Sequence, residues 1–238
     1  MSGSKQTRNA RVRKNSNRIK EIKDYYLRSP VEEISSYTTP LSFDLWDSIE
    51  TYRSKLGIGK RWIDIGGGVG EIAAISLKKG YDVHVTDVFD ELIQATVDRH
   101  PELKTRISHL DLFDTKNVNS LLASKGSFDI VTALGAVLNH AANRLEVRKG
   151  FGNLVRFGHA NSLIIIDVML REMLPGHPAS IWSEFLHVLV GFDDIYALTR
   201  LHKLELLETY SIQYIYPSKK GKELETERAL RLLYYKRT

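Results

Sequence analysis

The sequence predicts an α/β domain: a doubly wound, mostly parallel sheet with helices on both faces. Three observations carry this. From Lys60 onward, short runs rich in apolar and β-branched residues alternate with stretches of helical periodicity. The run Ser162 to Val168 is so apolar that both its faces must be covered, as in an interior parallel strand. And the first run breaks into a glycine cluster before a helix, Trp62-Ile63-Asp64-Ile65-Gly66-Gly67-Gly68-Val69-Gly70-Glu71.

Each element has a local reason. A helix is expected over Ser16 to Leu27, stopped by Pro30, and a second from the cap Ser42 through Tyr52, closed by Gly57 and Gly59. The first strand ends at Gly66, and a helix over Glu71 to Lys79 closes at Gly80. Tyr81 to Thr86 reads as a strand ending at Asp87, and Glu91 to Arg99 as a helix whose best cap is Asp90. Thr105 to Leu110 reads as a strand ending at Asp111, followed by a short helix over Asn117 to Ser124 with Asp114 as its cap. Phe128 to Ala133 is a strand and Asn143 to Phe157 a long helix. After the fifth strand, Pro and Gly around His177 mark a loop, and Ile181, Trp182, Phe185, Leu186 and Leu189 fall at helical spacing. Asp193 to Lys203 reads as a helix. Leu204 to Tyr216 and Ala229 to Lys236 read as strands, with Pro217 to Glu227 as the charged turn between them.

Composition narrows the class. A chain of 238 residues with 42% hydrophobic residues fits one domain, or one domain with a small lid. No apolar run approaches ~20 residues, so no membrane span is expected. The polar, basic start has no apolar signal region. Cysteine is absent, which excludes disulfides, thiolate metal sites and a cysteine nucleophile, and fits a cytoplasmic location. The histidines do not fall at metal-ligand spacing with carboxylates, so no metal is expected. Residues 1–28 carry nine basic side chains against Glu21 and Asp24, a net of +7. With +5 for the whole chain, that leaves −2 for the remainder. The basicity therefore belongs to an arm, expected as a solvated leader, with residues 5–28 as the place where nucleic acid would be contacted.

The glycine turn sets the chemistry. Glycines let a backbone turn and approach a ligand, and the new helix offers free N–H groups there. Two cofactors compete for such a turn. Gly68-Val69-Gly70-Glu71-Ile72-Ala73 fits the dinucleotide pattern G-x-G-x-x-A. Against it, Asp64 stands just before the first glycine, where it would repel a pyrophosphate and attract a cation. Asp87, at the end of the second strand, is placed to accept from ribose hydroxyls of either cofactor.

At Asp64, Gly66, Gly68 and Gly70 the chain resembles the class I S-adenosylmethionine-dependent methyltransferases, whose first motif is apolar-Asp-x-Gly-x-Gly-x-Gly. The likeness runs from about Lys60 to the C-terminus and is most specific at this motif. It implies a seven-stranded, Rossmann-like sheet closed by a C-terminal antiparallel hairpin, with S-adenosyl-L-methionine as cofactor. It implies that Asp64, Gly66, Gly67, Gly68 and Gly70 hold the methionine portion, Asp87 and Val88 the ribose, and Asp111 and Leu112 the adenine. Ala133 and Leu134 would line the methionine end. The loop ending Asn139-His140 lacks the Asn/Asp-Pro-Pro-aromatic tetrad of enzymes that methylate base amino groups, whereas small-molecule methyltransferases often place a His there. His140 is thus the candidate general base, with Asn139 orienting the substrate. Tyr25, Tyr26, Tyr37 and Trp182 are candidate walls of the acceptor pocket, with Phe185 and His187 nearby.

The division expected is a basic arm and helical cap over 1–58 and a cofactor-binding domain over 59–238, with a substrate insertion at about 170–192. The expected activity is methyl transfer to N or O of a small-molecule metabolite. The alternatives are an RNA or protein methyltransferase recruiting its substrate through the arm, a nicotinamide-dependent reductase, and a silent cofactor-binding module.

Overall fold

The computed structural model describes residues 45–170, 188–217 and 224–237, with backbone alone at 213–217 and 224–228. The expected arm, the helix over Ser16 to Leu27, Tyr25, Tyr26, Tyr37, Trp182, Phe185 and His187 lie outside the described residues.

A helix at 45–56, α1, leads into β1 (Arg61–Ile65). The chain then alternates through α2 (Glu71–Lys78), β2 (Asp82–Asp87), α3 (Asp90–Arg99), β3 (Ile107–His109), α4 (Thr115–Lys125), β4 (Phe128–Ala133), α5 (Arg144–Phe157) and β5 (Gly158–Val168). It closes with α6 (Phe192–Leu201), β6 (Leu204–Pro217) and β7 (Leu224–Lys236). Seven strands form one sheet in the order β3-β2-β1-β4-β5-β7-β6. β1 to β5 run parallel, and β7 lies antiparallel between β5 and β6. This is the expected doubly wound sheet with its C-terminal antiparallel hairpin.

Side chains alternate between two cores, as the period of a strand requires. On one face Trp62, Val83, Val85, Ile130, Leu163, Ile165 and Leu233 pack with Leu45 and Ile49 of α1 and with Ile72, Ala73 and Ala74 of α2. On the other, Ile63, Ile65, Val131, Ile164, Ile166 and Leu232 pack with α4, α5 and α6. Leu163 to Ile166 are fully buried, so the fifth strand is covered on both faces. Helix α1 shares the first core. Trp46 meets Trp62 with ring centroids 5.1 Å apart, and the Ser48 hydroxyl lies 2.6 Å from the Tyr210 hydroxyl of β6.

Several boundaries differ from the sequence expectation. β3 is only Ile107–His109; beyond it the chain turns, with Asp111 N–H donating to Asn117 Oδ1 at 2.7 Å. Helix α3 is capped by Phe89, not Asp90, and the Asp90 side chain makes no cap bond. Asp114 does cap α4, accepting from Lys116 N–H. The charged stretch read as a turn contains part of β7. Glu225, Thr226 and Glu227 pair with Tyr216, Ile215 and Tyr214. Among the described residues β5 pairs with β7 only from Leu230 onward, so the backbone before it pairs with β6 alone.

Strand order reverses between β1 and β4: β2 and β3 extend to one side, β5 to the other. In open α/β sheets ligands bind at that reversal, at the carboxyl ends of the strands. The glycine turn and the loop carrying Asn139 and His140 are the two segments that leave the sheet there.

Candidate functional site

The turn after β1 is shaped by glycines in three distinct ways. Gly66, Gly68 and Gly70 all have positive φ, at 69°, 57° and 79°. A side chain at Gly66 would strike Val137 Cγ2 at 2.7 Å, and one at Gly70 would strike Thr96 Cγ2 at 2.5 Å. Gly67 is hemmed in by Val85 and by Asp64 Oδ2, 2.8 Å from where its Cβ would lie. Around Gly68 there is open space. Three glycines therefore let the turn pack down, and the fourth leaves room above it. The turn is held from both sides: Gly67 N–H donates to Thr86 O at 2.9 Å, and Thr96 Oγ1 donates to Gly68 O at 2.9 Å.

Across the crevice, β4 ends in a second left-handed turn. Gly135 has φ 74° with open space at its Cβ position, and Ala136, fully buried, has φ 59°. A 3-10 turn over Val137–His140 follows. Val137 against Gly66 closes the base of the crevice and brings the two turns into contact. Ala133 and Leu134, expected to line the methionine end, are buried at this junction.

Two carboxylates, Asp64 of β1 and Asp87 of β2, meet this junction from the sheet. Asp64 is 2% exposed. Its Oδ1 accepts from Thr132 Oγ1 at 2.6 Å, while Oδ2 is buried with no hydrogen-bond partner. Burial raises its pKa to about 6, helped by the nearby charges of Asp87 and Asp167 and opposed by the Thr132 bond. Asp64 thus lies buried beneath the turn. Asp87 accepts from Gly68 N–H at 3.1 Å and Phe89 N–H at 3.0 Å. Burial raises its pKa to about 6 as well, against the lowering effect of backbone N–H groups including Val88. Val88 itself is exposed at the rim. The Asp87 carboxylate thus ties the start of α3, through Phe89 N–H, to the glycine turn, through Gly68 N–H.

Asp111 lies in the loop beyond β3, half-buried, its Oδ1 accepting from Phe113 N–H at 2.8 Å. Leu112 is buried in the core, its carbonyl accepting from Asn153 Nδ2 at 2.8 Å. Asn139 is fully buried and bound to backbone: Nδ2 donates to Met169 O at 3.0 Å and Val188 O at 2.8 Å, and Oδ1 accepts from Met169 N–H at 3.0 Å. Its carboxamide stitches the loop after β4 to the segments beyond β5. His140, half-buried, ends the 3-10 turn.

Sequence reasoning passed over Thr132, Asp167 and Arg231. Asp167 in β5 and Arg231 in β7 form a buried two-pronged ion pair, 0% and 2% exposed. The available signal was a charge within an apolar strand run, which burial permits only with a partner. Among the described residues no group of three or more His, Cys, Asp or Glu is arranged to hold a metal, and no helix is long and apolar enough to cross a membrane.

No protein-family model matches the sequence, and no curated protein matches it. Solved structures do match in fold. Magnesium protoporphyrin IX methyltransferase (ChlM) from Synechocystis PCC 6803, with bound S-adenosylhomocysteine, superposes with TM-score 0.61 at 14% identity, over 94% of this chain and 96% of that one. The N-methyltransferase NodS from Bradyrhizobium japonicum, in complex with S-adenosyl-L-homocysteine, gives 0.54 at 14% identity, over 80% and 84%. A putative RNA methyltransferase from Pyrococcus horikoshii gives 0.58 at 15% identity, over 89% and 91%. The chain thus has the fold of class I S-adenosylmethionine-dependent methyltransferases, as the motif around Asp64 implied.

The residues present fit a cationic ligand at the crevice. Asp64 Oδ2 is an orphaned buried acceptor beneath a turn that leaves open space at Gly68. A pyrophosphate lying over the turn would meet Asp64 as a like charge; Asp87 serves the ribose of either cofactor and does not discriminate.

Proposed function

We propose that this protein is an S-adenosyl-L-methionine-dependent methyltransferase acting on N or O of a small-molecule metabolite. The observation that carries the reading is the unpartnered Asp64 Oδ2 beneath the glycine turn, at the point where strand order reverses.

When bound, S-adenosylmethionine supplies an electrophilic methyl on a positively charged sulfur. The chain's own residues bind, orient and exclude water. Asp64 provides negative charge from below, while Gly66, Gly67, Gly68 and Gly70 bring backbone close. Asp87 accepts from the ribose hydroxyls beside Val88. Asp111 and the Leu112 backbone take the adenine edge. Ala133 and Leu134 line the methionine end. His140 takes the proton from the attacking hydroxyl or amine. Asn139 acts indirectly, by holding the loop that carries His140.

Calorimetry with S-adenosylhomocysteine and, separately, NAD(H) tests the cofactor: the first should bind and the second should not. Transfer of labelled methyl to a small-molecule fraction of a cell extract tests the acceptor class. No incorporation into any fraction would leave a silent binding module.

A second reading has its own support, the net charge of +7 over residues 1–28. An RNA methyltransferase using that arm would bind RNA with an affinity falling steeply with salt, and deletion of residues 1–20 would abolish that binding. A small-molecule enzyme would keep its activity after the same deletion.

A further inference from the structure

Two fully buried opposite charges in a sheet interior call for a reason. Asp167 and Arg231 are register partners across the antiparallel β5–β7 pair. Arg231 Nε donates to Asp167 Oδ1 at 2.8 Å and Arg231 Nη2 to Oδ2 at 2.9 Å, a planar fork. Such a pair is a weak source of stability, because burying both charges offsets most of their attraction, and apolar replacements are often as stable. Stability alone is a poor reason to have it here.

The position of Asp167 suggests another reason. Its Oδ2 also accepts from the Gly135 N–H at 3.1 Å. Gly135 opens the left-handed pair with Ala136, and a residue with a side chain adopts that conformation only at an energetic cost. A strained turn persists only where its surroundings fix it. A charge-assisted bond from a carboxylate, itself oriented by a guanidinium fork, is such a fixture. The turn carries Val137, which fills the space beside Gly66, and leads to His140.

We infer that Asp167 and Arg231 are positioning residues for the cofactor crevice. The ion pair tethers Gly135, and through it the wall that faces the glycine turn. The closing hairpin of the sheet is thereby coupled to the cofactor site, although neither charged side chain need touch the ligand. This inference rests on the methyltransferase reading for its ligand, but the tether itself can be read without one.

The test uses the full chain, S-adenosylhomocysteine as calorimetric probe, and amide hydrogen exchange at Gly135 without ligand. The double variant Asp167→Leu/Arg231→Met removes both charges. It should keep a melting temperature near that of the wild type, exchange the Gly135 amide at least about tenfold faster, and bind the probe at least about tenfold more weakly. Arg231→Lys keeps the carboxylate charged and bonded to Gly135. It should melt lower yet bind within about threefold of wild type. Leu233→Ala, a cavity in the same strand, should lower the melting temperature and leave probe affinity unchanged. Should the double variant not fold, Asp167→Asn leaves a weaker neutral acceptor and should still speed Gly135 exchange. Unchanged Gly135 exchange in these Asp167 variants would overturn the inference, as would wild-type probe affinity in the double variant or equal loss in Leu233→Ala. A wild-type protein that ignores the probe would instead overturn the proposed cofactor, with Gly135 exchange still reporting on the tether.

Discussion

Thr132 Oγ1 donates to Asp64 Oδ1 across the β1–β4 pair, at 2.6 Å. The direction follows because an ionised carboxylate can only accept; the Trp62 indole N–H donates to the same hydroxyl at 2.8 Å and occupies one of its lone pairs. A residue of the aromatic core thus orients the hydroxyl that stabilises the charged form of Asp64.

This arrangement makes ligand affinity pH-dependent with a definite sign. The pKa values of Asp64 and Asp87 are each raised from 3.8 to about 6 by burial. Their protonated forms favour the folded state, so this contribution to stability is full below about pH 4 and lost as pH rises through about 6. A cationic ligand needs the ionised forms. Affinity for S-adenosylmethionine should therefore rise from pH 5 to pH 7, by about tenfold per unit below 6 if one carboxylate must ionise. Calorimetry across that range checks it; a flat profile would remove the electrostatic role of Asp64.

Thr132→Val removes the hydroxyl and keeps the shape. The hydrogen bond lowers the Asp64 pKa, so its loss should move the midpoint of that profile to higher pH and weaken binding at pH 7. The same titration on the variant reads the shift.

The glycines of the turn should separate folding from binding. Gly70→Ala combines a positive φ with collisions against Thr96 and Leu103, and should destabilise the fold by about 2–3 kcal/mol or more. Gly68→Ala meets no neighbour, so its cost is the left-handed strain alone, about 1–2 kcal/mol. Its methyl points into the crevice, and S-adenosylhomocysteine binding should be lost from a protein that still unfolds cooperatively. Chemical denaturation beside calorimetry distinguishes the two.

The split between what the sequence disclosed and what it hid follows from the range of each interaction. The strand–turn–helix at Asp64 to Glu71 is local: periodicity, glycines and one acid lie within ten residues, and the structure has them as read. So is the Asp114 cap. The Asp167–Arg231 pair spans 64 positions and depends on β7 inserting between β5 and β6, which no local pattern displays. By sequence alone Asp90 looks the better start for the helix, and nothing local ties Asp87 to its neighbours. Only the fold shows its carboxylate bonded to Phe89 and Gly68 N–H. The extra length of β7 was hidden because its residues at 224–227 are mostly charged and were read with the turn.

Asn139 and His140 are adjacent in sequence but should fail differently when changed. The Asn139 carboxamide makes three hydrogen bonds to buried or half-buried backbone at Met169 and Val188. Asn139→Ala leaves those groups unsatisfied, at about 1–3 kcal/mol each before relaxation, and should lower the melting temperature sharply and weaken binding together. His140→Ala should leave stability and S-adenosylhomocysteine affinity nearly intact while cutting methyl transfer by about 100- to 10,000-fold, the range of general-base catalysis. If His140→Ala turned over at the wild-type rate, the base would have to be another group or the acceptor would have to attack already deprotonated. If it melted as low as Asn139→Ala, His140 would be a packing residue of the same loop.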